Sequence, residues 1–375
     1  MMKHFELSRS LGPDELLGKN DVFSSIWRDI FRRAHIEKTS DIHIETFSNR
    51  IRVRIRKNGE LLSIKEFSEA DLLNQLMIRL KEISGLDIST RDEIQDSAFE
   101  LCSFTSRYRA ALCPSVYGET IVLRVIQESD LPNLTDCRLS PQAEMDLRHA
   151  LNQEKGFICI TGPTGSGKST TLQACLMETN RLSKKVITLE DPVERKIPDV
   201  IQQQISSKLT WAKGIKIAMR QDPDIILVGE IRDPESAALA LQAAQTGHLV
   251  LSTLHTNDVA GIVDRLIGLG VDRHVLAENL LFISAQRLIP TLCPNCKVNT
   301  GANHHSRGPG CEQCNGQGLR GRTAVLEYAL NPSADRILAF SRSDFIKSEL
   351  RQTLKGEVAK LIDYGEVDST YLNQY

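Results

Sequence analysis

The chain has 375 residues, 41% hydrophobic and 25% charged, a length that calls for two or three cores and a composition typical of a folded globular protein. Its 46 basic and 48 acidic residues leave a net charge of −2, which excludes a general electrostatic attraction for nucleic acid as substrate. No apolar run approaches the roughly 18 residues of a membrane span, and the N-terminus lacks the apolar heart of a signal peptide, so the chain is expected in the cytoplasm, meeting any membrane through partners.

Residues 1–20 are weakly patterned and read as a flexible arm. Residues 21–37 mix Phe, Ile and Trp with charge and read as a helix. Ile51 to Arg56 alternates strictly, the period of a half-buried strand. Asn58-Gly59 supplies a turn, and Glu60–Ile64 resumes the strand, predicting a hairpin. Ala70–Ile83 reads as an amphipathic helix, and further strands fit Phe99–Phe104, Tyr108–Leu112 and Thr120–Ile126. These elements predict a small α+β domain over 21–130, followed by a linker at 131–139.

From residue 140 to 375 the pattern changes to strand–helix alternation. Phe157–Thr161, Lys185–Leu189, Ile225–Val228 and Leu249–Thr253 are short apolar runs separated by helix-length segments, which predicts an α/β domain with a mostly parallel sheet. A cysteine-bearing insert spans 291–322, and helical patterns follow it to a polar tail.

The first apolar run leads into Gly162, Pro163, Thr164, Gly165, Ser166, Gly167, Lys168, Ser169 and Thr170, a complete P-loop. A strand, a glycine turn and a helix N-terminus cradle the phosphates of a nucleoside triphosphate on backbone N–H groups. Lys168 is expected to reach the β- and γ-phosphates and the Ser169 hydroxyl to hold Mg²⁺. Ile225–Glu230 is an apolar strand ending in an acid, a Walker B arrangement that places Glu230 to orient or deprotonate the attacking water. Asp222 and Asp224 precede that strand and serve either this chemistry or a turn cap. Glu190, Asp191 and Glu194 follow another strand and are candidates for positioning metal or water; a capped turn explains them equally well. His248 and His255 bracket the strand at 249–253, either as structural hydrogen bonders or as sensors of the γ-phosphate.

Of nine cysteines, Cys102, Cys113, Cys137, Cys159 and Cys175 are scattered and read as reduced and inert. Cys293-Pro-Asn-Cys296 and Cys311-Glu-Gln-Cys314 form two CxxC pairs able to supply four thiolates to Zn²⁺. His304 and His305 lie between them, but four thiolates already complete a structural site. Such a site would fasten an otherwise weak, polar loop.

These motifs resemble those of ATPases of the type II secretion and type IV pilus assembly family over roughly residues 34–330. The matching blocks are Ser40–Glu45 with Arg52–Gly59, Gly85–Ile88, the P-loop, Ile187–Glu194, Arg220–Asp233, Thr246–Asn257, and Gly318–Thr323 with Glu327. The resemblance implies a RecA-like P-loop ATPase domain with a small zinc-binding insert, preceded by a small α+β, PAS-like domain. It implies an ATPase that uses ATP and Mg²⁺, carries structural Zn²⁺, and forms a homohexameric ring at the inner membrane. The implied partners are a polytopic platform protein and a recruitment protein, without direct contact to nucleic acid. Two arginines of the N-terminal domain in such ATPases neutralise phosphate charge, and Arg109 and Arg124 match their positions. The cysteine element resembles that of the branch driving secretion or pilus extension, which the retraction motors generally lack.

There are departures. An additional N-terminal domain common in that branch is expected to be absent, so recruitment is expected to depend on the platform protein alone. Gln95-Asp96-Ser97-Ala98 stands where Gln-Asp-Gly-Arg is usual. Other readings are a retraction motor, a conjugation or DNA-uptake ATPase, and a nucleotide-gated scaffold. Intact Lys168 and Glu230 argue against the last.

Overall fold

The computed structural model describes residues 11–374 apart from Asn58, Gly59, Glu69, Arg91, Glu128, Ser129, Asp130, Ala302 and Asn303. The chain divides into two compact units, the first ending at Asp130 and the second running from Leu131. The Asn58-Gly59 turn lies outside the described residues.

In the first unit the elements are α1 (Pro13–Leu17), α2 (Val22–Ile36), β1 (Asp41–Phe47), β2 (Arg50–Lys57), β3 (Glu60–Phe67), α3 (Ala70–Ser84), β4 (Gln95–Leu101), β5 (Ser106–Ser115) and β6 (Gly118–Gln127). The strands form one antiparallel sheet in the order β3-β2-β1-β6-β5-β4. The alternation read in β2 is the reason for its place: Ile51, Val53 and Ile55 are buried while the intervening arginines face the other way. Trp27 and Phe31 from α2 and Leu76 and Leu80 from α3 cover the apolar face. The Trp27 indole N–H donates to the Leu76 carbonyl at 2.9 Å, so its burial leaves no orphaned donor.

Two expectations for this unit are corrected. Residues 11–20 are not a loose arm, because Leu17 is buried in the core and Asp14 accepts from the backbone N–H groups of Cys102 and Ser103. Cys102–Phe104 is a tight turn rather than strand, and left-handed Thr105 redirects the chain into β5.

The second unit contains α4 (Pro141–Leu151), β7 (Gly156–Thr161), α5 (Lys168–Glu178), β8 (Val186–Glu190), β9 (Ile201–Gln204), α6 (Trp211–Ala218), β10 (Ile225–Val228), α7 (Pro234–Gln245), β11 (Leu249–Leu254), α8 (Val259–Gly268), α9 (Arg273–Asn279) and β12 (Leu280–Leu292). The insert carries β13 (Val298–Gly301) and β14 (His304–Ser306), after which come β15 (Leu319–Leu330), α10 (Ala334–Leu338), α11 (Arg342–Glu349), β16 (Leu350–Gln352) and α12 (Leu354–Asp363). The sheet order is β16-β15-β12-β7-β11-β10-β8-β9. The six strands from β12 to β9 are mutually parallel, and β15 and β16 extend the sheet antiparallel. Every residue of β7, β10 and β11 is buried, as a sheet packed on both faces requires. One core lies under α6, α7 and α8 and another under α4 and α5. The result is the RecA-like α/β arrangement.

The segment expected as a linker belongs to this core, with Leu134 and Leu139 buried in it. The region after the insert is not helical throughout, since β15 pairs with β12 along most of its length. No described helix is long and apolar enough to cross a membrane.

Candidate functional site

The P-loop leaves the carboxyl end of β7, where β11 and β12 flank it and parallel sheets place their ligands. Gly162, Gly165 and Gly167 have φ of 148°, 79° and 87°. For two of them close approach adds to the conformational demand. A Cβ on Gly162 would lie 2.4 Å from the Gln286 carbonyl oxygen, and one on Gly167 would lie 2.8 Å from the Gln286 amide nitrogen. Pro163, Thr164, Gly165, Ser169 and Thr170 are exposed at the mouth of the loop.

Gly167 caps α5, so Lys168, Ser169 and Thr170 form a first helical turn whose N–H groups favour an anion. The Lys168 ammonium is buried and donates to the carbonyls of Gly162 at 2.8 Å and Pro163 at 3.1 Å. Burial, together with the nearby Arg287 guanidinium, holds its pKa below the usual lysine range, while Glu230 works against that shift. The Ser166 hydroxyl is buried with no partner among the described residues.

Glu230 follows β10 through Gly229, whose N–H donates to the Leu189 carbonyl at 2.8 Å. The Glu230 carboxylate is only 14% exposed and carries two neighbours, Arg232 at 2.5 Å and His255 Nε2 at 3.5 Å. His255 leaves the carboxyl end of β11, on the same edge of the sheet as the P-loop. Thr161 ties these parts together: its hydroxyl donates to the Leu254 carbonyl at 2.8 Å and accepts from the Thr256 N–H at 2.7 Å. Lys168, Glu230 and His255 are therefore brought to one edge.

His248 is not part of that group. It precedes the amino end of β11, about 23 Å of strand away from His255 at roughly 3.3 Å per residue. Its Nδ1 lies 3.0 Å from the Ala243 carbonyl at the end of α7. This corrects the reading of the two histidines as a pair of phosphate sensors, leaving His248 as a helix-end hydrogen bonder.

Glu190, Asp191 and Glu194 cluster at the carboxyl end of β8. Burial raises the Glu190 pKa, against hydrogen bonds to Oε1 from the Thr188 hydroxyl at 2.6 Å and the Gln202 amide at 3.0 Å. Asp191 and Glu194 are exposed. Asp222 adopts a left-handed φ of 52°, and Asp224 accepts from the Lys185 N–H, so both serve the turn before β10.

In the first unit, Arg109 on β5 and Arg124 on β6 stand directly opposite each other on the exposed face of the sheet. Arg124 pairs with Asp41 at 3.3 Å. Like charges facing each other across strands cost stability, so folding alone gives no reason for this pair.

The four insert cysteines have sulfur atoms all within 4.8 Å of one another. Three of the separations, Cys293 to Cys311, Cys296 to Cys314 and Cys311 to Cys314, are 3.7 Å. Four thiolates about 2.3 Å from a tetrahedral zinc stand about 3.8 Å apart, whereas a disulfide needs about 2.05 Å. The donor set thus fits zinc. Backbone N–H groups of Cys311 and Gly318, each 3.1 Å from the Cys314 sulfur, favour its thiolate. His304 stands outside the set, 3.8 Å from Asp363. Cys159 and Cys175 are buried with thiol pKa values raised by burial, in keeping with inert residues.

Sequence reasoning missed Arg232, Gln286, Arg287 and the Thr161 bridge. Gln286 had a signal available, as a polar residue inside the apolar run of β12. Arg287 donates to the carbonyls of Gln286 at 3.0 Å and Asn257 at 2.7 Å, placing a further cation between the P-loop and the His255 segment.

A family profile described as "Type II/IV secretion system protein" matches residues 16–367. The type II secretion system protein E of Dickeya dadantii (strain 3937) is 39% identical over 312 residues, 78% of this chain and 62% of that protein. The type IV pilus assembly ATPase PilB of Myxococcus xanthus (strain DK1622) is 37% identical over 315 residues, 78% of this chain and 56% of that protein. The chain thus spans less than two thirds of the length of each. Among solved structures, the pilus retraction motor PilT with bound ADP superposes with a TM-score of 0.69 at 25% identity, covering 95% of this chain and 97% of that one.

Proposed function

The chain belongs to the type II/IV secretion system protein family, and from that premise we propose that it hydrolyses ATP to drive assembly of a type IV pilus or a secretion pseudopilus. The observation that carries this reading is the convergence of a P-loop lysine with the Glu230 carboxylate on one edge of the parallel sheet.

In this reading the loop from Gly162 to Thr170 and the first turn of α5 bind the triphosphate, with Lys168 leaving the Gly162 and Pro163 carbonyls for the β- and γ-phosphates. Mg²⁺ bound at the Ser169 hydroxyl would neutralise developing charge between the phosphates. Glu230 accepts a proton from the attacking water, and Arg232 and His255 fix its orientation. Glu190, Asp191 and Glu194 line the same edge and help to position water or metal. Arg109 and Arg124 are assigned to phosphate neutralisation; their outward, mutually opposed placement supports that role. Developing charge on the phosphoryl group is then met by preorganised cations. The four cysteines hold a structural zinc.

The working form in this account is a homohexameric ring in the cytoplasm, held at the inner membrane by a polytopic platform protein. The test is ATP turnover by the zinc-loaded oligomer with and without its co-encoded polytopic membrane protein. Turnover stimulated by that protein supports a motor acting on a platform. Unchanged turnover in a verified complex would refute the coupling.

A further inference from the structure

We propose that Gln286 is the positioning residue that holds the P-loop in its phosphate-binding shape, an inference that rests on the ATP reading above. Gln286 lies on β12, is 1% exposed, and is a buried amide in a largely apolar strand. Its side-chain amide makes two buried bonds. Nε2 donates to the Ser166 carbonyl at 2.8 Å, and Oε1 accepts from the Thr171 hydroxyl at 3.0 Å. Ser166 belongs to the loop and Thr171 to the first turns of α5. One side chain thus joins both halves of the phosphate cradle to a neighbouring strand.

The chemistry of the partners fixes the amide's orientation. A carbonyl oxygen only accepts, so Nε2 must face Ser166, and the Thr171 hydroxyl is free to donate to the other end. In a trans peptide the C=O and the following N–H point in opposite directions. Holding the Ser166 carbonyl toward β12 therefore turns the Gly167 N–H away from β12. A P-loop needs its N–H groups directed at the anion, and rotation of this one peptide plane would present an oxygen in place of a donor. The close approaches noted at Gly162 and Gly167 are both to Gln286, its carbonyl oxygen at one and its amide nitrogen at the other. The two glycines that must lack a side chain are those against which this residue packs. Without the Nε2 donor, the Ser166 carbonyl would be buried and unpaired, and the loop would be expected to rotate it toward water.

The test compares wild type with Gln286→Met, which keeps the side-chain length but removes the amide, Gln286→Glu, and Thr171→Val, which removes only the hydroxyl. A fluorescent ADP with Mg²⁺ reports affinity, steady-state ATPase gives kcat and KM, and the apo melting temperature reports the fold. Gln286→Met should bind ADP about tenfold more weakly or worse, which corresponds to about 1.4 kcal/mol, and should raise KM for ATP more than it lowers kcat. Thr171→Val should act in the same direction but less, because it loosens the amide without removing the donor. Gln286→Glu should bind poorly at pH 8 and regain affinity relative to wild type as pH falls, because a protonated carboxyl can donate to Ser166. A merely structural glutamine would show that recovery in the apo melting temperature to the same extent as in affinity; recovery of affinity beyond it marks the positioning role.

Wild-type ADP affinity in both Gln286→Met and Thr171→Val would overturn the proposal. So would losses of affinity that only follow losses of apo stability. Should Gln286→Met fail to fold, Thr171→Val and the pH profile of Gln286→Glu decide. Wild-type protein that binds no adenine nucleotide would instead sink the ATP reading, and this inference with it.

Discussion

Stripping the metal from the tetracysteine site should unfold the insert and loosen the C-terminal helix while leaving the nucleotide core folded. Between Pro294 and Gly318 the only buried side chain among the described residues is Cys314. Ordering this stretch costs about 1–2 kcal/mol per residue in backbone entropy, and a single buried cysteine cannot offset that. Zinc bound to four thiolates contributes on the order of 10 kcal/mol in small metal-dependent folds, far more than any other contact this stretch makes. The damage should spread along defined contacts. The Leu292 N–H donates to the Glu366 carbonyl, Lys297 to the Gly365 carbonyl, and the Arg307 N–H to Asp368. Those bonds hold the end of α12, whose Val358 and Ile362 pack with Ile289, Val325 and Val367 in a small separate cluster. The assay is amide hydrogen exchange with and without a strong chelator, beside a zinc count by native mass spectrometry. The expected result is one zinc per chain, with protection lost over 293–318, weakened over 354–368 and retained in β7, β10 and β11. A chain purified without metal whose insert amides are as protected as those of β7 would refute the reasoning.

Burial raises the Glu190 pKa, so the folded state holds that proton more tightly than the unfolded chain does. Its favourable contribution is complete below the unfolded value of about 4.3 and is lost as pH rises through the folded value. Glu190→Gln keeps an acceptor for Thr188 and Gln202, so thermal melts should show it more stable than wild type at neutral pH, with the gap closing in acid; equal gaps at both would contradict this. Tyr328 donates to Asp146 at 2.9 Å in the core, and Tyr328→Phe leaves that carboxylate short of a partner. A cost of about 1–2 kcal/mol is expected, read as a fall of several degrees in apparent Tm, and an unchanged melt would show the bond to be neutral.

What the sequence disclosed and what it hid follow from the range of the interactions involved. The P-loop, the Glu230 strand and the paired CxxC motifs are local: each depends on residue types at fixed short spacing. The buried strands β7, β10 and β11 are apolar runs of strand length, and those too are visible in a short window. β12 and β15 escaped because a long apolar segment lacks a period of two, and their pairing joins residues on either side of the insert. β1 carries the same alternation as β2, with Ile42 and Ile44 buried between Asp41, His43 and Glu45, so its signal was present in the sequence and went unused. The site showed the same division. Lys168 and Glu230 are marked by motif, whereas the Gln286 bonds to Ser166 and Thr171 exist only once β12 lies beside β7. His248 misled for the converse reason. Nearness in sequence to His255 is not nearness in space when a fully extended strand separates them.

The most direct measurement of the central claim is Mg²⁺-dependent ATP binding and hydrolysis by wild type, Glu230→Gln and Lys168→Ala, each purified as a zinc-loaded oligomer. If Glu230 handles the attacking water, Glu230→Gln should bind ATP with near wild-type affinity and turn it over at least about 100-fold more slowly, and Lys168→Ala should lose binding itself. Hydrolysis by Glu230→Gln at the wild-type rate, or a wild-type oligomer that neither binds nor cleaves ATP, would contradict the account.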